Sequence, residues 1–271
     1  MEKYFVFCSL ICTFAPAYEK LAPRCSAVGS VPGLGPGCRR FESCHLDLPS
    51  QRPLIHDDSV VFFFFIYDYT MKVLLINGSP KEKGNTFQAL SEVAQTLNAE
   101  GIETEIVSIG KKAVQGCIAC GMCGRTGKCT FNDDLYCKIW RAVKDGIDGL
   151  VIGSPVYYGG PNGSLCALLD RVFYSLGPDL KFKPAASVVV CRRGGASASF
   201  DRLNKYFTIM NMPVVSSQYW NMVYGQTPGQ VALDEEGMQT MRTLARNMAW
   251  MIKKLDDHPE LEQPVWTNFI R

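Results

Sequence analysis

From Met71 onward, short apolar runs alternate with stretches whose apolar residues recur every three or four positions. Val73–Ile76, Glu103–Ser108, Gly149–Gly153, Ser187–Cys191 and Pro213–Ser216 read as strands. The intervening helices are expected from about Phe87 to Leu97, with Gly101 as the stop, and over Asp134–Lys144, Gly163–Tyr174 and Ser199–Met210. A last helix, Asp234–Leu255, carries Met238, Met241, Leu244, Ala245, Met248, Ile252 and Leu255 on one stripe. Five strands alternating with helices predict an α/β, doubly wound parallel sheet with helices on both faces. Ligands of such sheets bind beyond the carboxyl ends of the strands.

The first seventy residues lack a sustained period of either kind. "YFVFCSLICTFAPA" has the apolar run and small-residue end of a signal peptide, but its one lysine is offset by one glutamate. "VVFFFFIYDY", Val60 to Tyr69, is shorter than the roughly 20 apolar residues that span a bilayer. "RRFESC", Arg39 to Cys44, can be encoded by a run resembling the T-arm of a transfer-RNA gene, and Met71 directly opens the first strand. The expectation is that residues 1–70 are a gene-start error, with a genuine disordered extension as the other reading; neither places functional residues there. Residues 71–255 then form the domain and 256–271 a tail. The tail's Val265, Trp266, Phe269 and Ile270 are expected to dock on the domain or on a partner copy.

Composition narrows the function classes. With 47% hydrophobic and 20% charged residues among 271, the chain can bury a sizeable core. A formal charge of +2 supplies no basic field for nucleic acid, which is not an expected partner; nor is a membrane. Of twelve cysteines, five precede Met71 and seven follow it.

Two stretches carry candidate chemistry. In "INGSPKEKGNTFQAL" a glycine-bearing turn leads from the first strand into a helix, bringing backbone amides and the Ser79 and Thr86 hydroxyls to a helix N-terminus. Free N–H groups and the positive end of the helix dipole there favour a phosphate. The spacing is neither that of a Walker A loop nor G-x-G-x-x-G, and a loop built only to reverse direction would use similar residues. The other stretch, "GCIACGMCGRTGKC", Gly116 to Cys129, holds Cys117, Cys120, Cys123 and Cys129 with two, two and five residues between them. Thiolates at such spacing suit an iron-sulfur cluster or another soft metal. Zinc, a redox-active dithiol and an inert loop remain open on spacing alone.

Three loops at the strand ends, "GSPKEKGNT", "GSPVYYGGPNGSLCALLDR" and "CRRGGASAS", together resemble the NAD(P)H-dependent FMN reductase group of the flavodoxin-like superfamily across Met71 to Lys254. The resemblance implies a five-stranded sheet in the order 2-1-3-4-5 and a bound FMN. It places the phosphate at Ser79, Gly84, Asn85 and Thr86, the flavin ring beside Pro155, Val156, Tyr157, Tyr158 and Gly159, and a third contact at Arg193, Gly194 and Gly195. The cysteine spacing resembles the compact motif of the iron-sulfur flavoproteins, which implies a 4Fe-4S cluster on Cys117, Cys120, Cys123 and Cys129 and a homodimer or homotetramer. Cys137 lies too far along its helix to be an expected ligand, Cys191 is expected only to line the flavin pocket, and Cys166 stands where many relatives have lysine. The implied activity is a cytoplasmic oxidoreductase in which NAD(P)H reduces FMN and electrons leave to a quinone, a metal ion, free flavin or a protein carrier. A non-enzymatic flavodoxin-like carrier and a zinc-stabilised module without flavin are the rival readings.

Overall fold

Strands apolar on both faces and helices with a single apolar stripe bury their surfaces together only as a sheet covered on two sides. The computed structural model, which describes residues 70–255, 257–263 and 265, has that arrangement. In chain order it comprises β1 (Lys72–Asn77), α1 (Asn85–Ala99), β2 (Glu103–Ser108), the short α2 (Met122–Thr126), α3 (Asp134–Lys144), β3 (Gly149–Tyr157) and β4 (Gly160–Pro161). Then follow α4 (Gly163–Leu180), β5 (Ala185–Cys191), α5 (Ala196–Ile209), β6 (Met222–Tyr224), a 3-10 turn (Gln230–Leu233) and α6 (Glu235–Lys254).

The sheet runs β2-β1-β3-β5-β6, all parallel, while β4 pairs antiparallel with β3. With the two-residue β4 set aside, this is the expected 2-1-3-4-5 order. The pleat sends alternate residues to opposite layers. Leu74 and Ile76 of β1 join Leu165, Leu169 and Phe207 on the face covered by α3, α4 and α5. Val73 and Leu75 join Leu90, Val93, Leu244 and Met248 on the face covered by α1 and α6. Gly101, at φ +80°, follows the last turn of α1 and ends it as expected. Among the described residues no helix is long and apolar enough to cross a membrane.

Several boundaries differ from the sequence reading. The expected fifth strand at Pro213–Ser216 supplies one bridge, Val214 to Ala185, and the edge strand proper is Met222–Tyr224. Between them the chain leaves the sheet: the Ser217 hydroxyl bonds Tyr219 and Asn221, and the Asn221 carbonyl returns to accept from Val189 N at 2.9 Å. β3 continues past Gly153 to Tyr157 and turns back through Tyr158 (φ +51°) and Gly159 (φ +79°), a two-residue turn of the kind that joins antiparallel strands. Met238 is only partly buried and Leu255, at the end of α6, is exposed; Gly237, Thr240 and Ala249 complete the buried stripe. In the tail, His258 stacks on Phe182 with ring centroids 4.3 Å apart, and Val265 is exposed. Trp266, Phe269 and Ile270, like the reading of residues 1–69, lie outside the described residues.

The crossing of β1 into α1 is tight. Gly78 N donates to Gly153 O at 2.8 Å, and a Cβ on Gly78 would lie 2.6 Å from that oxygen and 2.4 Å from Leu165 Cδ2. Backbone on one side and a fully buried leucine on the other leave a methyl group nowhere to go. Gly78→Ala is therefore expected to destabilise the flavin-free protein by about 1–3 kcal/mol. A urea titration checks this; an unchanged midpoint would mean that the loop yields.

Candidate functional site

Four loops meet at the carboxyl edge of the sheet. In the first, Asn77 Oδ1 accepts from Ser79 N at 3.1 Å and Ser79 Oγ accepts from Lys81 N at 3.2 Å, so the turn is tied down by its own side chains. α1 then begins after Gly84 with no side-chain cap and no acidic residue in its first turn. Its first N–H groups are thus left for an outside acceptor. Thr86 is 2% exposed, and its hydroxyl has no protein partner among the described residues. Asn162 joins the first loop to the second: its Nδ2 donates to Gly78 O at 2.9 Å, while its Oδ1 caps α4 by accepting from Ser164 N at 2.8 Å. Gly195 (φ +88°) presses the third loop against the second, since a Cβ there would stand 2.7 Å from Gly159 Cα and 2.9 Å from Val156 Cγ1.

These contacts enclose a cavity of about 180 Å³. Ser79, Gly84, Asn85, Thr86, Pro155, Val156 and Tyr157 line it together, as the sequence reading grouped them. Tyr158, Gly159, Arg193, Gly194 and Gly195 do not line it. Tyr158 stands fully exposed at the tip of the β3–β4 turn, Arg193 and Gly194 are exposed, and Gly159 and Gly195 serve as the seam between loops. From the third loop the cavity receives Cys191 and Arg192 instead. Burial pushes the Cys191 thiol above its ordinary value.

A fourth loop escaped the sequence reading. Gly225, Gln226 and Pro228 line the same cavity, and Gly229 N donates to Asn85 Oδ1 at 2.9 Å. A Cβ on Gly225 would sit 3.0 Å from Asn85 Nδ2, so this loop also needs a close glycine approach. Its local signal is the turn-rich "YGQTPGQ", but the expected fifth strand ends at Ser216, eight residues before Tyr224, and so does not lead into it. An anionic group fits this cavity: uncapped amides and the Thr86 hydroxyl face no competing carboxylate, and Pro155 to Tyr157 supply an apolar wall.

The second site grows from the loop after β2. Gly121 (φ +68°) and Gly127 (φ +64°) bracket the five-residue α2, and Cys117, Cys120, Cys123 and Cys129 all line one cavity of about 150 Å³. Their sulfurs have local support. Cys117 Sγ accepts from Ala119 N at 3.4 Å, and Cys120 Sγ lies 3.6 Å from the Thr130 hydroxyl. The Met122 amide first, then Thr130, hold the Cys120 thiol below its ordinary value. Cys129 Sγ accepts from Arg171 Nε at 3.4 Å. All four are free thiols, as are Cys137, Cys166 and Cys191, which lie outside this cavity.

Arg171, which the sequence reading left without a role, organises that loop. It rises from α4, is 1% exposed, and also donates through Nη1 to Gln115 O (3.2 Å) and through Nη2 to Phe131 O and the Asp133 carboxylate (both 2.5 Å). Burial alone would raise the Asp133 carboxyl, but the Tyr136 amide and the guanidinium outweigh it and hold Asp133 below the usual carboxylate range. The same Asp133 caps α3 by accepting from Tyr136 N at 3.0 Å. Tyr136, wholly buried, accepts from Cys129 N at 2.9 Å and donates to Ser175 at 2.8 Å. Only a side chain from a distant helix reveals this set, so spacing within the cysteine motif had no means of pointing to Arg171.

Among the described residues no three His, Cys, Asp or Glu side chains are arranged to hold a metal ion.

Known proteins resemble this chain in sequence and in fold. Residues 71–227 match the model of the NADPH-dependent FMN reductase family. An iron-sulfur flavoprotein of Methanocaldococcus jannaschii is 36% identical over 191 residues, covering 68% of this chain and 98% of that protein. One from Archaeoglobus fulgidus is 27% identical over 192 residues, covering 67% and 97% respectively. In fold alone, RosB is similar at a TM-score of 0.54 and 15% identity, over 74% of this chain and 94% of its own. A flavone reductase is similar at 0.53 and 16% identity, over 69% and 64%. On the family match and the near full-length relative, the chain belongs to the NADPH-dependent FMN reductase family, in its iron-sulfur flavoprotein branch.

Proposed function

We propose that this protein is an FMN-dependent NAD(P)H oxidoreductase that carries a 4Fe-4S cluster on Cys117, Cys120, Cys123 and Cys129 and delivers electrons to a quinone or a protein carrier. The observation that carries this reading is the pairing of two cavities at one sheet edge, one built for an anion beside an apolar wall and the other walled by four free thiols. α4 spans both: Asn162 at its cap ties the flavin loops, and Arg171, nine residues on and so about 14 Å along the axis, ties the cysteine loop.

Bound FMN supplies the capacity to accept hydride and to release electrons singly or in pairs. The chain supplies position and charge. First-turn amides of α1 and the Thr86 hydroxyl take the phosphate, and Asn85 keeps the Gly225–Gly229 loop closed over it. Pro155, Val156 and Tyr157 wall the ring, and the Gly159–Gly195 seam brings second and third loops close enough to exclude water. Arg192 places positive charge at the cavity. The four sulfurs take the cluster, supported by the donors of Ala119, Thr130 and Arg171. The protein acts in the cytoplasm as a homodimer or homotetramer in this reading.

The phosphate assignment is checked by Thr86→Val. Losing one hydroxyl donor to a dianion is expected to weaken FMN binding about tenfold to a hundredfold, with a urea midpoint close to wild type. Adding Asn85→Ala frees the 225–229 loop and releases the flavin further. Fluorescence titration measures both; full retention by the double variant would put the phosphate elsewhere.

The cluster and donor are tested on protein purified without oxygen. Iron, acid-labile sulfide and a broad visible absorption are expected beside the flavin, and serine at any one of the four cysteines removes the first three while leaving FMN bound. Anaerobic mixing with NADPH bleaches the flavin. Flavin without iron or sulfide, even after reconstitution, removes the cluster; a protein that stays yellow is a carrier.

A further inference from the structure

We propose that Arg171 is the positioning residue of the four-thiol site: its buried guanidinium closes the cysteine loop before any metal binds, and its Nε–H on the Cys129 sulfur favours the reduced state of the group held there. The second half rests on the cluster reading above; the first half does not.

The geometry is that of a clasp. Gln115 lies two residues before the first cysteine, and Phe131 and Asp133 lie two and four residues after the last. One guanidinium bonds to all three and to Cys129 itself. It therefore pins entry and exit of a loop of about fifteen residues to a single point on α4, removing closure entropy that four separate thiols would otherwise have to overcome. A planar fork is needed, because one ammonium has no set of donors in these four directions at once. The aromatic faces of Tyr136 and Phe131, at 5.0 and 5.7 Å from the guanidinium carbon, fill the rest of its surroundings.

A structural role alone accounts for Gln115, Phe131 and Asp133, but not for the remaining donor. Asp133 balances the charge, and Nε–H still goes to sulfur. A hydrogen bond from a buried cation to a coordinating sulfur stabilises the form with the added electron, and such bonds are among the factors that set cluster potentials.

The test uses the full chain with flavin bound, as Arg171→Lys and Arg171→Gln. In metal-free protein, amide exchange over residues 115–133 is expected to accelerate about tenfold in both variants, with β1, β3 and β5 protected as in the wild type. After anaerobic reconstitution with iron and sulfide, the cluster potential is titrated. The Arg171→Lys variant is expected to show a reduced-to-oxidised ratio about tenfold lower at the wild-type midpoint, a shift of about 59 mV for one electron. Unchanged exchange with flavin retained overturns the clasp, and so does loss of protection throughout the core of both variants, which would make Arg171 a general core residue. A wild-type potential in Arg171→Lys overturns the sulfur bias. If Arg171→Gln does not fold, Arg171→Lys decides alone. Wild-type protein that takes up no iron defeats the cluster reading and the sulfur bias with it, and leaves the clasp to be decided by exchange.

Discussion

A guanidinium buried on α4 gathers both ends of a loop that the sheet does not hold. The cysteine segment contributes no residue to the sheet, its only helix is five residues long, and Cys117, Cys120 and Ile118 are exposed. Hydrophobic burial is therefore a weak constraint on its shape. What remains is polar and specific: Arg171 gathers Gln115, Cys129, Phe131 and Asp133, and Tyr136 with Ser175 fixes the Cys129 amide. Burying an arginine costs heavily unless every donor is satisfied, and here each nitrogen has a partner. The cation is thus committed to this loop, and the loop to α4.

α4 matters for the same reason at its other end. Asn162 caps the helix and binds the Gly78 carbonyl, so the register of one helix fixes both the flavin loops and the cysteine clasp. Around the first cavity the constraint is steric rather than ionic. Gly78 and Gly195 stand where a single methyl group would meet neighbouring backbone, which lets three loops approach at van der Waals distance. The fourth loop is then held by Asn85, whose carbonyl oxygen receives Gly229 N across a sequence separation of 144 residues.

α1 and α5 both begin after a glycine with no side-chain cap, unlike α3, α4 and α6. Asp133 caps α3, Asn162 caps α4 and Asp234 caps α6 with their own side chains, while α1 begins after Gly84 with none. A helix end left open beside a cavity that Thr86 also lines is where an exchangeable anion belongs.

Periodicity alone determined the class of fold, the alternation of layers, and the order of strands once the loop resemblance was added, because burial of both sheet faces leaves few arrangements for such a pattern. Local chemistry also marked the first two flavin loops and the four thiols, since turn glycines, hydroxyls and cysteine spacing act over a few residues. Tertiary structure decided the rest. The edge strand is Met222–Tyr224 because that run pairs with Val189 to Cys191, whereas the apolar run at 213–216 bonds only Ala185 at the start of β5. The third loop offers Cys191 and Arg192 rather than Arg193 to Gly195, because φ at Gly195 and its packing on Gly159 turn those residues away from the cavity. Arg171 lies 42 residues from Cys129 and acts on it only through the docking of α4. A contact of that kind depends on which helices share a layer, and no local pattern of residues encodes it.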